Sequence, residues 1–337
     1  MAGERELIAA IARRAAAVSP ASATGGARLL LGIGDDCAAW QADPTACSLA
    51  TTDTLIEGVH FDSSWHPPRL LGRKAVTVNI SDIAAMGGTP RFVLLSLGLT
   101  GREEAAWREE LLAGLVEATA AYGAHLIGGD TVHSPGRVML TVTVLGEVAE
   151  AELCRRDGGR QGDSLWVSGP LGWAAAGLEL CRRGLGTEER WQPLVKAHLN
   201  PDAQVALGRA LARGRLVHAM QDLSDGLATD LAHLAAASGQ GAEVKAELLP
   251  QAELLQAAAT HCEADPTTWT IAGGEDYQLL FSAPPEHDPA IAALSQRDKL
   301  PALHRIGQLV AGAGVFLSRG EQLSEITFRG YEHFRSE

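Results

Sequence analysis

The feature that most constrains this chain is a set of six short segments, each placing an acidic residue among glycine, serine or threonine, close to an apolar run. The segments are 32–36, 51–54, 79–82, 128–131, 222–226 and 273–276. One such segment would indicate only a turn, because Asp and Gly are common turn residues. Six of them predict one site assembled from many parts of the chain. Converging carboxylates raise each other's pKa unless a cation lies among them, and their oxygens suit Mg²⁺.

Composition and charge exclude several classes of function. The 337 residues are 46% hydrophobic and 20% charged, which is typical of a protein with a packed core. A formal net charge of −13 disfavours a nucleic-acid partner. No apolar stretch reaches the roughly 18 residues of a membrane span, and the acidic N-terminus, 1–6, is unlike a signal peptide.

The five cysteines are widely spaced and form no C-x-x-C pair. This pattern disfavours a disulfide framework or a zinc site and favours buried thiols. We therefore expect a cytoplasmic protein.

Hydrophobic periodicity predicts helices and strands in both halves of the chain, so the fold class is α/β or α+β. Predicted helices include 5–18, 68–86, 107–122, 173–180 and 203–211, and predicted strands include 29–31, 48–50, 92–99, 138–144, 164–167, 216–220 and 277–282. A Gly-rich and charged stretch, 147–162, divides the chain into domains 1–149 and 150–337.

Two acidic residues have specific predicted places. Asp82 falls on the apolar stripe of the predicted helix 68–86, where an acid is unusual. Asp225 directly precedes the next predicted helix and is well placed as its N-cap. Such a cap would explain Asp225 without any function.

The usual nucleotide and hydrolase motifs are absent. The sequence has no G-x-x-x-x-G-K-[ST], no G-x-G-x-x-G after a strand, no G-x-S-x-G and no H-E-x-x-H. Phosphates can instead be held by Mg²⁺ on carboxylates, beside glycine backbone N–H groups. Gly128 and Gly129 next to Asp130 suit that arrangement. His60 is the one histidine singled out, although a lone histidine is more often structural.

The motifs taken in order resemble those of the thiamine-monophosphate kinase family, in the aminoimidazole ribonucleotide synthetase-like superfamily. They are G-I-G-D-D (32–36), T-D-T (52–54), G-x-H-F (58–61), N-x-S-D-x-A-A-M-G (79–87), G-G-D-T (128–131), D-x-S-D-G-L (222–227), G-G-E-D-Y (273–277) and G-Y-E-H-F (330–334). The first motif and D-x-S-D-G recur across the superfamily. The G-x-H-F and G-E-D-Y segments favour the thiamine-phosphate enzymes.

The resemblance implies a two-domain fold, with an N-terminal mixed sheet with helices for ATP, metal and dimerisation, and a C-terminal α/β sandwich that completes the site. It implies transfer of the ATP γ-phosphoryl group to thiamine monophosphate, with several Mg²⁺ ions, in a cytoplasmic homodimer. No nucleic-acid or membrane partner is expected.

The resemblance also assigns residues. The implied metal ligands are Asp36, Thr51, Thr52, Asp53, Asp82, Asp130, Asp222 and Asp225. The implied ATP contacts are Gly129, Asp130, Arg156 and Ser224, with Arg155 as the alternative arginine. The implied thiamine phosphate contacts are His60, Glu275 and Phe328. No general base is assigned, and Asp130 and Asp222 are expected to be the most critical residues.

Two alternatives differ in class. The chain could be another ATP-using enzyme of the superfamily, which would share the metal segments but not those of His60 and Glu275. It could also be a non-catalytic regulator that binds ATP or metal. Formation of thiamine diphosphate from ATP and thiamine monophosphate separates these alternatives from the kinase.

Overall fold

The structure is a computed structural model that describes residues 4–18, 26–33, 37–250, 252–297 and 300–331. The chain divides into two units. Unit 1 comprises the chain up to Ile83 together with Gly88–Ala151, and unit 2 comprises Ala84–Gly87 together with the chain from Glu152 onward. The roles that we expect for 1–149, in binding ATP and metal and in dimerisation, and for 150–337, in completing the active site, stay a proposal.

The described residues form the following elements. The helices are α1 (Glu4–Val18), α2 (Pro68–Ala85), α3 (Ala105–Ala121), α4 (Trp173–Arg182), α5 (Gln192–Leu199), α6 (Val205–Arg213), α7 (Leu227–Ala237), α8 (Glu253–Cys262), α9 (Pro266–Ala272) and α10 (Asp288–Leu294). The strands are β1 (Arg28–Leu31), β2 (Ala39–Gln41), β3 (Ala46–Ile56), β4 (Thr89–Leu99), β5 (His125–His133), β6 (Met139–Ala149), β7 (Ser164–Ser168), β8 (Ala219–Asp222), β9 (Gly241–Lys245), β10 (Leu279–Ala283), β11 (Leu303–Val310), β12 (Val315–Arg319) and β13 (Gln322–Glu325).

Unit 1 is built on a four-stranded mixed sheet in the order β3-β6-β4-β5, in which only β4 and β5 pair in parallel. Strand β6 alternates as a half-buried strand should: Val142 and Val144 are buried, whereas Thr141 and Thr143 are half-buried. Helix α3 ends at Ala121, and Gly123 follows with φ +74°, the left-handed conformation that a helix-ending glycine adopts.

Unit 2 is built on a seven-stranded sheet in the order β13-β12-β9-β11-β7-β10-β8. Strands β7 and β10 are buried along their whole length. Leu165 and Leu280 belong to one hydrophobic cluster, while Trp166 and Phe281 belong to another. Because neighbouring residues of one strand face opposite sides, helices and loops cover both faces of this sheet. The predicted α/β class is confirmed.

Two of the six acidic segments have a composition typical of turns but form strands instead. Thr51–Asp53 lies inside strand β3, which pairs with β6 without interruption, and Gly128–Asp130 lies inside β5. The β-branched Thr51 and Thr52 favour extended backbone. Strand β6 runs beside β3 over its full length and provides the hydrogen-bond partners of β3. The cysteines are free thiols, and Cys154, Cys181 and Cys262 are buried as expected, whereas Cys37 is exposed and Cys47 is half-buried. Among the described helices, none is long and apolar enough to cross a membrane.

Candidate active site

In unit 1, strand β3 contacts helix α2 through polar side chains. The Thr51 hydroxyl donates to Oδ2 of Asp82 at 2.5 Å. The backbone N–H of Asp53, on the open edge of the sheet, donates to Oδ1 of Asn79 at 2.9 Å. Asn79 is fully buried and anchored by its own donation to the Ala75 carbonyl. These contacts hold Thr51, Asp53 and Asp82 close together. All three are among the residues that the sequence assigns to one site.

Thr52 faces the other side of the sheet. Its hydroxyl donates to the Val142 carbonyl at 3.1 Å and accepts from Thr143 at 3.0 Å. Side chains alternate along a strand, so the side chains of Thr51 and Thr52 cannot share one face. The Thr52 side chain is therefore apart from the Thr51–Asp82 pair.

Asp130 is exposed on β5, next to a glycine that the strand pairing requires. Gly129 has φ +151°, and a Cβ added there would lie 1.8 Å from the Leu95 carbonyl oxygen. Only glycine permits this close approach of β5 to β4. The Asp130 carboxylate accepts the N–H of Thr131 at 2.9 Å, a local bond that leaves its other oxygen outside that contact.

His60 lies in a tight turn that follows β3. Its Nδ1 accepts the backbone N–H of Ile56 at 3.1 Å, so a neutral His60 carries its proton on Nε2. Gly58 has φ +75°, and its N–H donates to the carbonyl of the buried Phe61 at 2.7 Å. The G-x-H-F segment thus forms a defined turn that orients the imidazole.

In unit 2, three loops are joined by backbone hydrogen bonds. Glu275 donates its N–H to the Ser224 carbonyl at 2.8 Å, and Tyr331 donates to the Asp225 carbonyl at 2.9 Å. A Cβ on Gly274 would lie 2.7 Å from the Ser224 oxygen. The 222–226, 273–277 and 328–331 segments are therefore close together, and they carry the predicted residues of this unit.

The predicted N-cap role of Asp225 is wrong. Gly226 is the N-cap of α7, with φ +106°, and the acid that serves this helix start is Asp230. Oδ2 of Asp230 accepts the N–H groups of Asp225 and Gly226, both at 3.0 Å. The Asp225 carboxylate is therefore not used as a cap.

Asp230 is a buried acid that sequence reasoning missed, with only 4% of its surface exposed. Burial raises its pKa well above the usual range, and the charges of Asp222 and Asp225 raise it further. The only sequence signal is an acid in the first turn of a predicted helix, which usually marks an exposed residue.

The Glu275 carboxylate faces a buried histidine. Its Oε2 lies 3.0 Å from Nδ1 of His198, which is 1% exposed on α5. Nothing in the sequence connects these residues, because 77 positions separate them. Glu275, Tyr277 and Phe328 all have positive φ, +68°, +49° and +52°, an uncommon backbone region that costs about 1–2 kcal/mol per residue. Two of these three were predicted to contact substrate.

Asp276, next to Glu275, has a structural role. Its carboxylate accepts the N–H groups of Gly172 at 2.5 Å and Ala174 at 3.1 Å, at the start of α4. Burial raises the pKa of Asp276 to about 7, although these N–H groups favour its charged form. Asp276 thus anchors the 273–277 loop to α4.

Two further predicted contacts are exposed. Phe328 is 48% exposed and packs edge-on against the ring of His233, with centroids 5.2 Å apart. Arg155 is paired with Asp157 through two guanidinium nitrogens, whereas Arg156 has no ion pair with any described residue. The arginine left available is therefore Arg156, the one chosen from the sequence.

The structure describes all of the predicted metal ligands except one. Asp36 lies outside the described residues. Across the described ranges, no three His, Cys, Asp or Glu side chains are grouped closely enough to hold a metal ion. The donor chemistry nevertheless fits Mg²⁺: Thr51 and Asp82 present two hard oxygens 2.5 Å apart, and Asp222 and Asp225 act as charges on the buried Asp230.

Comparison with known proteins identifies the family. The family models "AIR synthase related protein, N-terminal domain" and "AIR synthase related protein, C-terminal domain" match residues 34–148 and 160–319. Thiamine-monophosphate kinase of Escherichia coli K12 is 35% identical over 309 residues, which cover 90% of this chain and 92% of the relative.

Solved structures agree. The crystal structure of thiamine-monophosphate kinase from Stenotrophomonas maltophilia is 35% identical, with a TM-score of 0.83 over 92% of this chain and 96% of that one. A structure described as AaThiL complexed with AMPPCP and TMP is 32% identical, with a TM-score of 0.76 over 98% of this chain and 97% of that one. The chain therefore belongs to the AIR synthase related proteins, and among them to the thiamine-monophosphate kinase family.

Proposed function

We propose that this protein is a thiamine-monophosphate kinase, which transfers the γ-phosphoryl group of ATP to thiamine monophosphate and forms thiamine diphosphate and ADP. The observation that carries this function is the relative in complex with AMPPCP and TMP, an ATP analogue and the phosphate acceptor, whose fold this chain shares over 98% of its length. The relatives named as this kinase favour it over a sibling enzyme or a non-catalytic regulator.

The chemistry needs little proton transfer. A phosphate monoester has a second pKa of about 6, so the acceptor oxygen is already mostly ionised at pH 7. This explains why no general base is assigned and why none is required. The obstacle is that an anionic acceptor must approach an anionic donor, in a protein whose own net charge is −13.

We assign the oxygen-rich residues to the metal and phosphate groups. Those proposed to hold Mg²⁺ are Asp36, Thr51, Thr52, Asp53, Asp82, Asp130, Asp222 and Asp225. When bound, Mg²⁺ neutralises phosphate charge and orients the phosphate oxygens. The Thr51–Asp82 contact and the concentration of negative charge around Asp230 support this assignment. Thr52 is its weakest member, since its hydroxyl bonds to Val142 and Thr143.

We assign ATP contacts to Gly129, Asp130, Arg156 and Ser224. Arg156 is exposed, and its own carbonyl accepts from Ser238, which fixes the backbone from which the side chain extends. A guanidinium binds phosphate oxygens in a paired geometry that a lysine cannot match.

We assign recognition of the organic half of thiamine monophosphate to His60, Glu275 and Phe328. The thiazolium ring is cationic and the aminopyrimidine carries N–H donors, so a carboxylate and an aromatic face both suit it. The exposed ring of Phe328 and the strained backbone of Glu275 support these roles, because strain is often retained at binding sites.

We further propose a cytoplasmic homodimer. The free thiols suit a reducing compartment. The half-buried face of the unit 1 sheet carries exposed apolar residues, with Val132 at 49% and Met139 at 38%, and a second copy would cover them. Sedimentation equilibrium should show a dimer for the wild type and a monomer for Met139→Glu; a monomeric wild type would overturn the dimer.

The function is tested by incubating the protein with ATP, Mg²⁺ and thiamine monophosphate. Thiamine diphosphate and ADP should form in equal amounts, and Asp130→Asn and Asp222→Asn should lower turnover at least 100-fold, by analogy with the loss of a charge-stabilising group. The exposed Asp202→Asn is the matched control and should keep wild-type turnover. Free phosphate without thiamine diphosphate would indicate a phosphatase instead, and no reaction would remove the kinase function.

A further inference from the structure

A groove on unit 2 lies between α6 and the end of α10 and shares no residue with the proposed active site. Its volume is about 670 Å³. Helix α6 contributes Ala206, Arg209, Ala210 and Arg213 to the lining. These positions are three, four and seven residues apart, which places them on one face of the helix.

The opposite side of the groove has the same character. Ala290, Leu294 and Arg297 recur every three to four residues along α10 and just beyond it, and Leu216 also contributes to the lining. Leu294 is 3% exposed and forms a fixed apolar surface. The groove exists because alanines occupy positions on both helices where larger side chains would close it.

The charge of this groove opposes that of the whole protein. Among the described residues that line it, three of nine are arginines and none is acidic, in a chain of net charge −13. Arg209 and Arg213 lie one helical turn apart, on the same face of α6. The acid paired with Arg213 is Glu152, at the long distance of 4.0 Å, and Arg297 has no ion pair within the described ranges. The guanidinium groups of Arg213 and Arg297 can therefore pair with an anion in the groove.

We propose that this groove binds a small organic phosphate that carries a ring, at a second site distinct from the active site. Guanidinium groups pair with phosphate oxygens and stack on flat rings. The alanine and leucine surfaces can receive the apolar part of the same ligand. The groove volume lies within the roughly 300–1,000 Å³ of small-molecule sites.

Equilibrium dialysis of phenyl phosphate against the whole protein tests the proposal, in metal-free buffer of low ionic strength so that phosphate binding through Mg²⁺ is removed. The wild type should bind one molecule. The double variant Arg213→Gln/Arg297→Gln should weaken binding about tenfold or more, because each guanidinium makes a charge-assisted bond. The control Arg102→Gln/Arg319→Gln removes the same charge from exposed positions elsewhere and should change the dissociation constant less than about twofold.

A neutral variant tests the shape of the groove. Ala290→Leu fills it from an exposed position of α10 and should also weaken binding of phenyl phosphate, with unchanged charge. Circular dichroism and thermal unfolding will show whether the arginine variant folds. If it does not fold, the effect of Ala290→Leu on phenyl phosphate binding tests the proposal by itself.

Several outcomes would overturn the proposal. Absence of binding to the wild type would do so, as would equal weakening in both arginine pairs, which would indicate general charge attraction. Inorganic phosphate binding as tightly as phenyl phosphate would remove the role of the ring. Binding of an oligoglutamate peptide instead of phenyl phosphate, lost in the same variant, would make this groove a docking surface for an acidic protein.

Discussion

At the scale of single residues, two buried acids of unit 2 make the same kind of hydrogen bonds, although neither is assigned to a metal or a substrate. Asp230 and Asp276 each accept two backbone N–H groups where a helix begins, α7 for Asp230 and α4 for Asp276. The first N–H groups of a helix have no partner within it, and a carboxylate satisfies them well. Each acid therefore fixes a loop that carries proposed site residues.

The raised pKa of Asp276 predicts how stability changes with pH. The unfolded chain loses this proton near pH 3.9 and the folded chain near pH 7, so the folded state holds more protons between these values. Its contribution to the free energy of unfolding therefore falls as pH rises from about 4 to 7, by up to about 4 kcal/mol for a shift of roughly three pH units.

Asp276→Asn removes this titration and leaves one of two buried N–H groups without its acceptor. Urea unfolding should show the variant less stable than the wild type at pH 5, with the gap smaller at pH 8. Asp202→Asn is exposed and should show no such pH-dependent gap. A gap that stays constant or widens with pH would contradict the assignment.

The sequence could identify most residues of the candidate site at this scale but not their partners. Asp222, Asp225 and Glu275 were found because each stands in an acidic and glycine-rich segment. Asp230 was missed, since an acid in the first turn of a helix is usually exposed. Its burial depends on which loop closes over the helix start, and that packing leaves no local pattern.

At the scale of elements, the pairing of β4 with β5 depends on one glycine. Gly129→Ala would place a Cβ 1.8 Å from the Leu95 oxygen and impose a positive φ on a residue with a side chain. We expect a loss of about 3 kcal/mol or more, or failure to fold, because backbone cannot move aside as a flexible side chain can.

Gly136→Ala is the matched control for Gly129→Ala, since it lies in the same unit and a Cβ there meets nothing within 4 Å. Thermal unfolding should leave this control within about 0.5 kcal/mol of the wild type. Equal stability of the two variants would show that β5 does not approach β4 as described.

The contact of β3 with α2 can be tested by removing one hydroxyl. Thr51→Val deletes the 2.5 Å bond to Asp82, and Thr143→Val deletes the 3.0 Å bond to the Thr52 hydroxyl on the opposite face. Both should cost about 1 kcal/mol of stability. Only Thr51→Val should also lower kcat/KM for the kinase reaction at limiting Mg²⁺, and equal effects on activity would place Thr51 outside the site.

Helix and strand positions were largely predictable, because apolar residues recur along the chain with the period of the helix or strand whose face they bury. The extent of β3 was not, since exposed Thr and Asp in an edge strand resemble a loop in sequence. The N-cap of α7 was also misplaced. Gly226 takes that position because φ +106° suits glycine, and the loop 273–277 packs against it.

At the scale of the whole molecule, the two units are not simply successive in sequence. Residues 84–87 belong to unit 2, although the chain on both sides of them belongs to unit 1. Ala85 is part of the hydrophobic cluster that contains Leu207 and Leu211 of α6. A single boundary drawn from composition could not show this, because composition reports only consecutive stretches.

Helix α6 packs closely on the segment 84–87, so a glycine-to-alanine substitution in α6 should lower the stability of the protein instead of raising it. Alanine is normally better than glycine inside a helix by about 1 kcal/mol. At Gly208 a Cβ would lie 2.1 Å from the Ala84 carbonyl oxygen, so Gly208→Ala should destabilise the protein by about 2 kcal/mol or more in thermal unfolding.

Ala206→Gly, at an exposed position of the same helix, calibrates the ordinary preference and should cost about 1 kcal/mol. A gain in stability from Gly208→Ala would mean that α6 does not pack closely on the segment 84–87.

The assignment of residues 84–87 to unit 2 has a consequence for synthesis on the ribosome. The segment leaves the ribosome early, but its partners on α6 follow more than 100 residues later. At 5–20 residues per second this delay is roughly 6–25 s. During that interval Ala85 lacks the surface of α6 that buries it. The nascent first unit therefore exposes an apolar segment to which chaperones can bind.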